Sequence, residues 1–361
     1  MGRNWLKISA TSLTLSLATL SASAQDAPAS SALTGETGAT AASDHARVED
    51  YRLIGGENAI FSITLENDYF VSTDRNYTNG VRAAYVSAPK KTRGFSGFIA
   101  EKILRADDNY GMRVSWALGQ SIFTPEDFEE RAPLPDQHPY AGWLYLEHGV
   151  IAVKRKSISR LVTQMGVVGP SAGGEWAQNS VHRVQGGAIA EGWENQLRDE
   201  FGFTLTYERG RVVFDTPTFF GLESDAVGLI GGTAGNVITE GKFGGMLRFG
   251  RNLSADAGPP RIRPALAGGG FFDNSAGNSW YVFVGAQARA VAWNIFLDGN
   301  TFEGDREPQV ERIPVVGEMQ VGAVARFGRT QLSYQIVART EEFETQDDNQ
   351  VFGALSVAVA F

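Results

Sequence analysis

Apolar and polar residues alternate along most of this chain. Ile60-Phe61-Ser62-Ile63-Thr64-Leu65 opens the first run of period two, the period of a β-strand. Further runs follow at 81–87, 111–119, 140–153, 159–169, 201–214, 224–233, 242–251, 280–297, 318–327, 330–339 and 351–361. Many hold Gly and Ala where a soluble core uses Leu or Ile. Small residues on one face and aromatics on the other suit a barrel wall between lipid and lumen. The tally is twelve, and single-chain bacterial barrels have an even count. The pattern predicts an all-β, transmembrane, up-and-down antiparallel β-barrel of about 12 strands. Two segments break it. Ala188, Ile189, Trp193 and Leu197 share one apolar face and predict a short helix over 187–200, in an extracellular loop. Residues 95–106 (FSGFIAEKILRA) are also amphipathic, with Lys90, Lys91, Arg93 and Lys102 around them. They suit either a membrane interface or an ordinary loop helix.

The amino terminus reads as an address. Arg3 and Lys7 precede an apolar stretch from Ile8 to Leu20, which closes on Ala22-Ser23-Ala24. This is the pattern of a secretory signal peptide over 1–24, too short in its apolar part to span a bilayer. Residues 25–52 are rich in Ala, Ser, Thr and Gly and predict a flexible segment. The barrel is expected over 53–361. Composition agrees. The net charge of −9 becomes −11 without the leader, whose two basic residues are unopposed. An acidic chain of this kind excludes a nucleic-acid partner. The absence of cysteine excludes disulfides, Cys-bound zinc and thiol nucleophiles. A mean hydropathy of −0.17 excludes a helical membrane bundle but not a barrel, in which the alternation averages away. The chain closes on Phe361. Outer-membrane barrels characteristically carry such an aromatic end, through which the barrel-assembly machinery is engaged. A β-sandwich can end on Phe as well.

With both barrel termini periplasmic, loops after odd strands are extracellular. That places Asn67, Asp68, Thr78, His138 and His182 near the outer rim. It also makes 89–109 and 252–279 long periplasmic connections, where short turns are the rule. Asn67-Asp68 offers hard oxygen ligands for Ca²⁺, or simply starts a turn through Asx hydrogen bonds. The run Thr73-Asp74-Arg75-Asn76-Tyr77-Thr78-Asn79-Gly80 has the same two readings. His182 follows a Gly-rich stretch and is either a general base or a structural histidine. His148 belongs to the wall or lumen, and His45 lies in the flexible segment. Neither a Gly-x-Ser-x-Gly elbow nor a His-Glu-x-x-His zinc motif is present.

Five motifs then form an ordered set: Glu66-Asn67-Asp68; Thr73 to Gly80; His138-Pro139-Tyr140-Ala141-Gly142-Trp143-Leu144-Tyr145; Gly169-Pro170-x-Ala172-Gly173-Gly174 with Gln178-Asn179-x-x-His182; and Gly192-Trp193-x-x-Gln196. From about Ala59 to Phe361 the chain resembles the outer-membrane lipid A 3'-O-deacylases, the LpxR family. The resemblance implies a twelve-stranded barrel in the Gram-negative outer membrane that needs Ca²⁺. It implies hydrolysis of the ester holding the 3'-linked acyloxyacyl group of lipid A, with lipopolysaccharide of the outer leaflet as partner. The site would lie between the wall and a loop helix. Asn67 and Asp68 match the family's Asn-Asp pair and metal ligands, Thr78 its wall threonine, and His182 the base that deprotonates water. The chemistry resembles that of secreted phospholipases. The chain also departs from the family. Ala188 stands where the type has a functional glutamate, and Glu191 is the candidate substitute. Glu130 stands where it has a lysine near the charged sugars, which leaves Arg131 as the candidate substrate contact. The usual Asp-Arg-Pro-Tyr run is Asp136-Gln137-His138-Pro139-Tyr140 here. Two alternatives stay open: a non-enzymatic transport or structural barrel of the same family, and a phospholipid hydrolase.

Overall fold

A computed structural model describes residues 56–67, 76–90, 94–106, 110–154, 156–185, 187–216, 220–253, 270–273, 277–303 and 308–361. The expected leader and flexible segment lie outside these residues, as does Asp68.

Twelve strands close into one antiparallel barrel: β1 (Ile60–Asn67), β2 (Asn76–Val86), β3 (Gly111–Thr124), β4 (Ala141–Lys154), β5 (Ser157–Val168), β6 (Glu200–Asp215), β7 (Glu223–Gly235), β8 (Ile238–Arg251), β9 (Ser279–Asn294), β10 (Val315–Phe327), β11 (Thr330–Arg339) and β12 (Gln350–Ala360). Each predicted run falls on one of them. β1 and β12 complete the ring, with Ile60 opposite Ala360 and Asn67 opposite Gly353. Closure leaves no strand edge with unpaired backbone groups, which a bilayer demands.

Alternation sorts side chains by medium. Phe61, Ile63 and Leu65 of β1 are exposed on the outside, while Ser62, Thr64 and Glu66 are buried in the lumen. Trp116 and Leu118 of β3, Leu146 of β4 and Val282 and Val284 of β9 continue the outer apolar belt. The lumen is packed with ion pairs. Arg289 faces Glu240, Glu318 and Glu342, and Arg339 joins the last two. Glu208 pairs with Lys242 and Arg160. Buried charges are tolerated because each has an opposite partner.

Both ends of this polar interior are closed by apolar residues. At the extracellular end, Tyr77, Phe123, Trp143, Phe296 and Phe352 form one buried cluster, with the Phe123 and Phe296 rings stacked at 4.1 Å. His138 lies flat against Phe123 from the β3–β4 loop. At the periplasmic end, the β8–β9 connection returns Phe271 and Phe272 into the lumen, against Ile60, Val86, Ile151 and Val153. Arg113 stacks over Phe271 at 4.7 Å and Arg326 over Phe272 at 5.8 Å. That long connection is therefore a plug in its described part. The other one, between β2 and β3, carries helix α1 (Gly94–Phe98), continued by a π-helical turn (Ile99–Ile103). Among the described residues no helix is long and apolar enough to cross a membrane.

The helix expected over 187–200 is not formed. That stretch is extended, with one 3₁₀ turn at Gly192–Asn195. The loop helix is α2, Gly174–Gln185, just ahead of that stretch in the chain. His182 belongs to this helix and not to a Gly-rich loop.

Candidate functional site

The candidate site is built on the outer face of the wall at the extracellular rim. In β1 the outward series Phe61, Ile63, Leu65 continues to Asn67, which is half-buried and stands opposite Asn79 of β2. Asn79 in turn is opposite Ile122 of β3. The β2–β3 register shifts between Tyr77 and Asn79, so Thr78 is bulged. Such an extra residue re-aims side chains locally. Tyr77 turns into the lumen and its hydroxyl donates to Glu66 Oε2 at 3.0 Å. Thr78 meets the outward Thr124, hydroxyl to hydroxyl at 2.6 Å, and both are buried.

The β5–β6 loop is laid over this wall. Gly169 at φ +106° and Gly173 at φ +70° adopt backbone conformations that side chains disfavour, and between them a 3₁₀ turn, Pro170–Ala172, leads into α2. Gln120 of β3 donates to the Ala172 carbonyl at 2.6 Å, and Ser171 is held by Asp199 through its amide and hydroxyl. A Cβ at Gly174 would meet the Trp193 ring at 2.6 Å, so glycine permits the approach of α2 to Trp193. Trp193 is buried, lies 5.0 Å from the Tyr140 ring, and donates Nε1–H to Gln178 Oε1 at 2.9 Å. Asn179 bonds both backbone groups of Ala190. Ile122, Tyr140, Ala190 and Trp193, with Phe128 and Ala177 against them, form an apolar cluster outside the barrel. The motif residues Gln178, Asn179, Gly192 and Trp193 thus fix the helix to the wall. Gln120 and Asp199, which sequence reasoning did not single out, do the same work on the turn that leads into the helix.

His182 is half-buried near the end of α2, edge-on to Phe128 with centroids 5.7 Å apart. Its Nδ1 bonds the Ala188 carbonyl at 2.5 Å. A carbonyl only accepts, so Nδ1 carries the hydrogen and Nε2 keeps its lone pair in the neutral ring. Among the described residues this is the ring's one hydrogen bond. Glu191 turns elsewhere: its carboxylate lies 3.8 Å from the Arg131 guanidinium, both exposed, and its amide donates to the Phe128 carbonyl. Two candidate residues of separate roles are thereby paired with each other. Asn67 and Thr78 stand on the wall and His182 on the helix over it, where His182 meets Phe128, a residue packed against the same cluster as Ile122. His138 belongs to the lumen plug, and His148 faces outward from β4 beside Trp116, 4.6 Å between rings. Among the described residues no group of three or more His, Cys, Asp or Glu is placed to hold a metal.

The fold resembles that of LpxR from Salmonella typhimurium, with TM-score 0.68 at 20% identity over 84% of this chain and all of that one. The β domain of the Bordetella autotransporter BrkA matches more loosely, at TM-score 0.37 and 13% identity over 85% of this chain and all of that one. No curated protein sequence matches the chain significantly. A family model described as "Outer membrane protein LpxR" matches residues 14–361, nearly the whole chain. By that match and by its closed twelve-stranded barrel, the protein belongs to the LpxR family of outer membrane proteins.

Proposed function

We propose that this protein is a Ca²⁺-dependent lipid A deacylase of the outer membrane. It hydrolyses the ester of the 3'-linked acyloxyacyl group, with His182 as general base. Family membership supports the deacylase class. The observation that carries the specific reading is the bond from His182 Nδ1 to the Ala188 carbonyl. It leaves Nε2 as a proton acceptor on the helix that lies over the wall, the state a base needs before turnover.

The donor set fits a hard cation. Asn67 offers an amide oxygen and Asp68 a carboxylate, while thiolates are absent from the chain and among the described residues no His cluster competes. Those two residues would hold Ca²⁺, which when bound supplies positive charge for the oxyanion of an attacked ester. The remaining work falls to this chain's own groups. His182 Nε2 takes the proton of a water as it attacks the ester carbonyl, and returns it to the departing alkoxide. The Ala188 carbonyl stabilises the imidazolium formed in between. The apolar cluster around Ile122 and Trp193 keeps the helix seated and excludes water from beneath it. Exposed Trp176, Val181 and Ile189 offer acyl chains an apolar approach. Arg131 is the candidate contact for the charged sugar region. It would act as part of a pair with Glu191, whose carboxylate partly offsets its charge.

The test is mass spectrometry of lipid A from cells with and without the protein, with and without chelator. The expected result is loss of the 3'-acyloxyacyl mass, blocked by chelator and absent in His182→Ala, whose heat-modifiable migration is unchanged. Unaltered lipid A in cells carrying the folded barrel overturns the reading. Release of acyl chains from phospholipid instead would assign the site to that substrate.

A further inference from the structure

The connection between β2 and β3 bears a feature that the proposed reaction does not use. Helix α1 and its π-helical continuation lie outside the barrel, at the periplasmic end. Ile99, Ala100 and Leu104 are buried against outward residues of the wall, Met112 of β3, Val150 and Ala152 of β4 and Leu161 of β5. The segment starts beside His148, whose Nε2 lies 3.4 Å from Ser96 Oγ, and so covers a polar group on an otherwise apolar face.

Its opposite side is not covered by protein. Phe95, Phe98 and Ile103 are 72%, 55% and 43% exposed. On the same wall the next outward residues, Trp116, Leu118 and Leu146, are 47%, 57% and 53% exposed and belong to the lipid-facing belt. The apolar surface of the helix is therefore continuous with the membrane-facing surface of the barrel. Lys102 and Arg105 are exposed too, and long basic side chains reach from such a position to lipid headgroups. The depth fits. Val150 is four residues from the end of β4, and at about 3.3 Å per residue and a tilt near 40° this lies roughly 10 Å into the wall. Interfacial helices bury their apolar face by about 5–10 Å.

We propose that residues 94–104 form a foot embedded in the periplasmic leaflet, with Phe95, Phe98 and Ile103 among phospholipid acyl chains. The foot extends the barrel's lipid contact on the β3–β5 side and shields His148 and Ser96 from hydrocarbon. A leaflet is favoured over a protein partner because the patch adjoins the lipid belt and not the open periplasmic rim.

The absence of native cysteine makes the test direct. The full barrel is reconstituted into phosphatidylethanolamine and phosphatidylglycerol bilayers with one nitroxide-labelled cysteine at Phe95→Cys, Phe98→Cys or Ile103→Cys. Leu118→Cys is the lipid reference and Lys156→Cys, in the β4–β5 turn, the aqueous one. Each variant is first checked for heat-modifiable migration, and all positions are exposed. Power saturation then compares relaxation by oxygen with relaxation by a water-soluble nickel chelate, calibrated on phosphate-labelled lipid. The expected result is a depth on the hydrocarbon side of the phosphate at 98 and at one or more of 95 and 103, with oxygen dominant as at 118. A depth at 98 at or outside the phosphate, with nickel relaxation matching 156, overturns the proposal.

Discussion

Position 188 carries its chemistry in the backbone. The carbonyl that accepts from His182 is present whatever side chain stands there. Ala188→Glu should therefore keep deacylation within about tenfold of the parent, a barrier change of about 1.4 kcal/mol, as lipid A mass spectra read over a time course. Asn179 is a different case. Its amide satisfies both backbone groups of buried Ala190. Asn179→Ala leaves them unpaired, at a cost of about 1–3 kcal/mol to the seating of the loop. Activity should fall while the barrel's heat-modifiable transition stays in place. His182 and Asn179 were visible in the sequence as a motif. That Glu191 turns to Arg131 was not, because the ion pair joins two loops sixty residues apart.

The loop helix is the element that pattern misplaced. Ala188, Ile189, Trp193 and Leu197 have helical spacing, yet Trp193 and Leu197 reach the core from an extended segment tied to Phe128, Tyr140 and Asn179. The true helix, GEWAQNSVHRVQ, inverts the usual rule. It buries Gly174, Gln178 and Asn179 and exposes Trp176 and Val181, so its hydrophobic periodicity points the wrong way. Hydrogen bonds to Trp193 and Ala190, which no local pattern displays, make the polar face the inner one. Strands needed no such knowledge, since each buries one face in lipid or lumen by simple alternation. Gly174→Leu tests the packing. The side chain would enter the Trp193 ring, so α2 should lift from the wall. Limited proteolysis should then cut within 174–185 and deacylation should be lost, with the barrel itself still protease-resistant.

At the scale of the whole molecule, two apolar closures bracket a lumen crossed by ion pairs. The even strand count and the signs of a membrane wall were legible from end to end. The plugs were not, since Phe271 and Phe272 sit in a Gly-rich connection whose apolar residues only make sense once the lumen is there to receive them. The arrangement weighs against the transport alternative. Planar-bilayer recordings of the reconstituted barrel should show no steady single-channel conductance. Phe271→Ala with Phe272→Ala removes two fully buried rings, each worth about 3–5 kcal/mol, and should lower the thermal transition of the barrel. Closed at both ends among its described residues, the barrel adds no route for small solutes there. If the proposed deacylation holds, the cell could raise its copy number to remodel its outer surface while solutes meet the same permeability barrier as before.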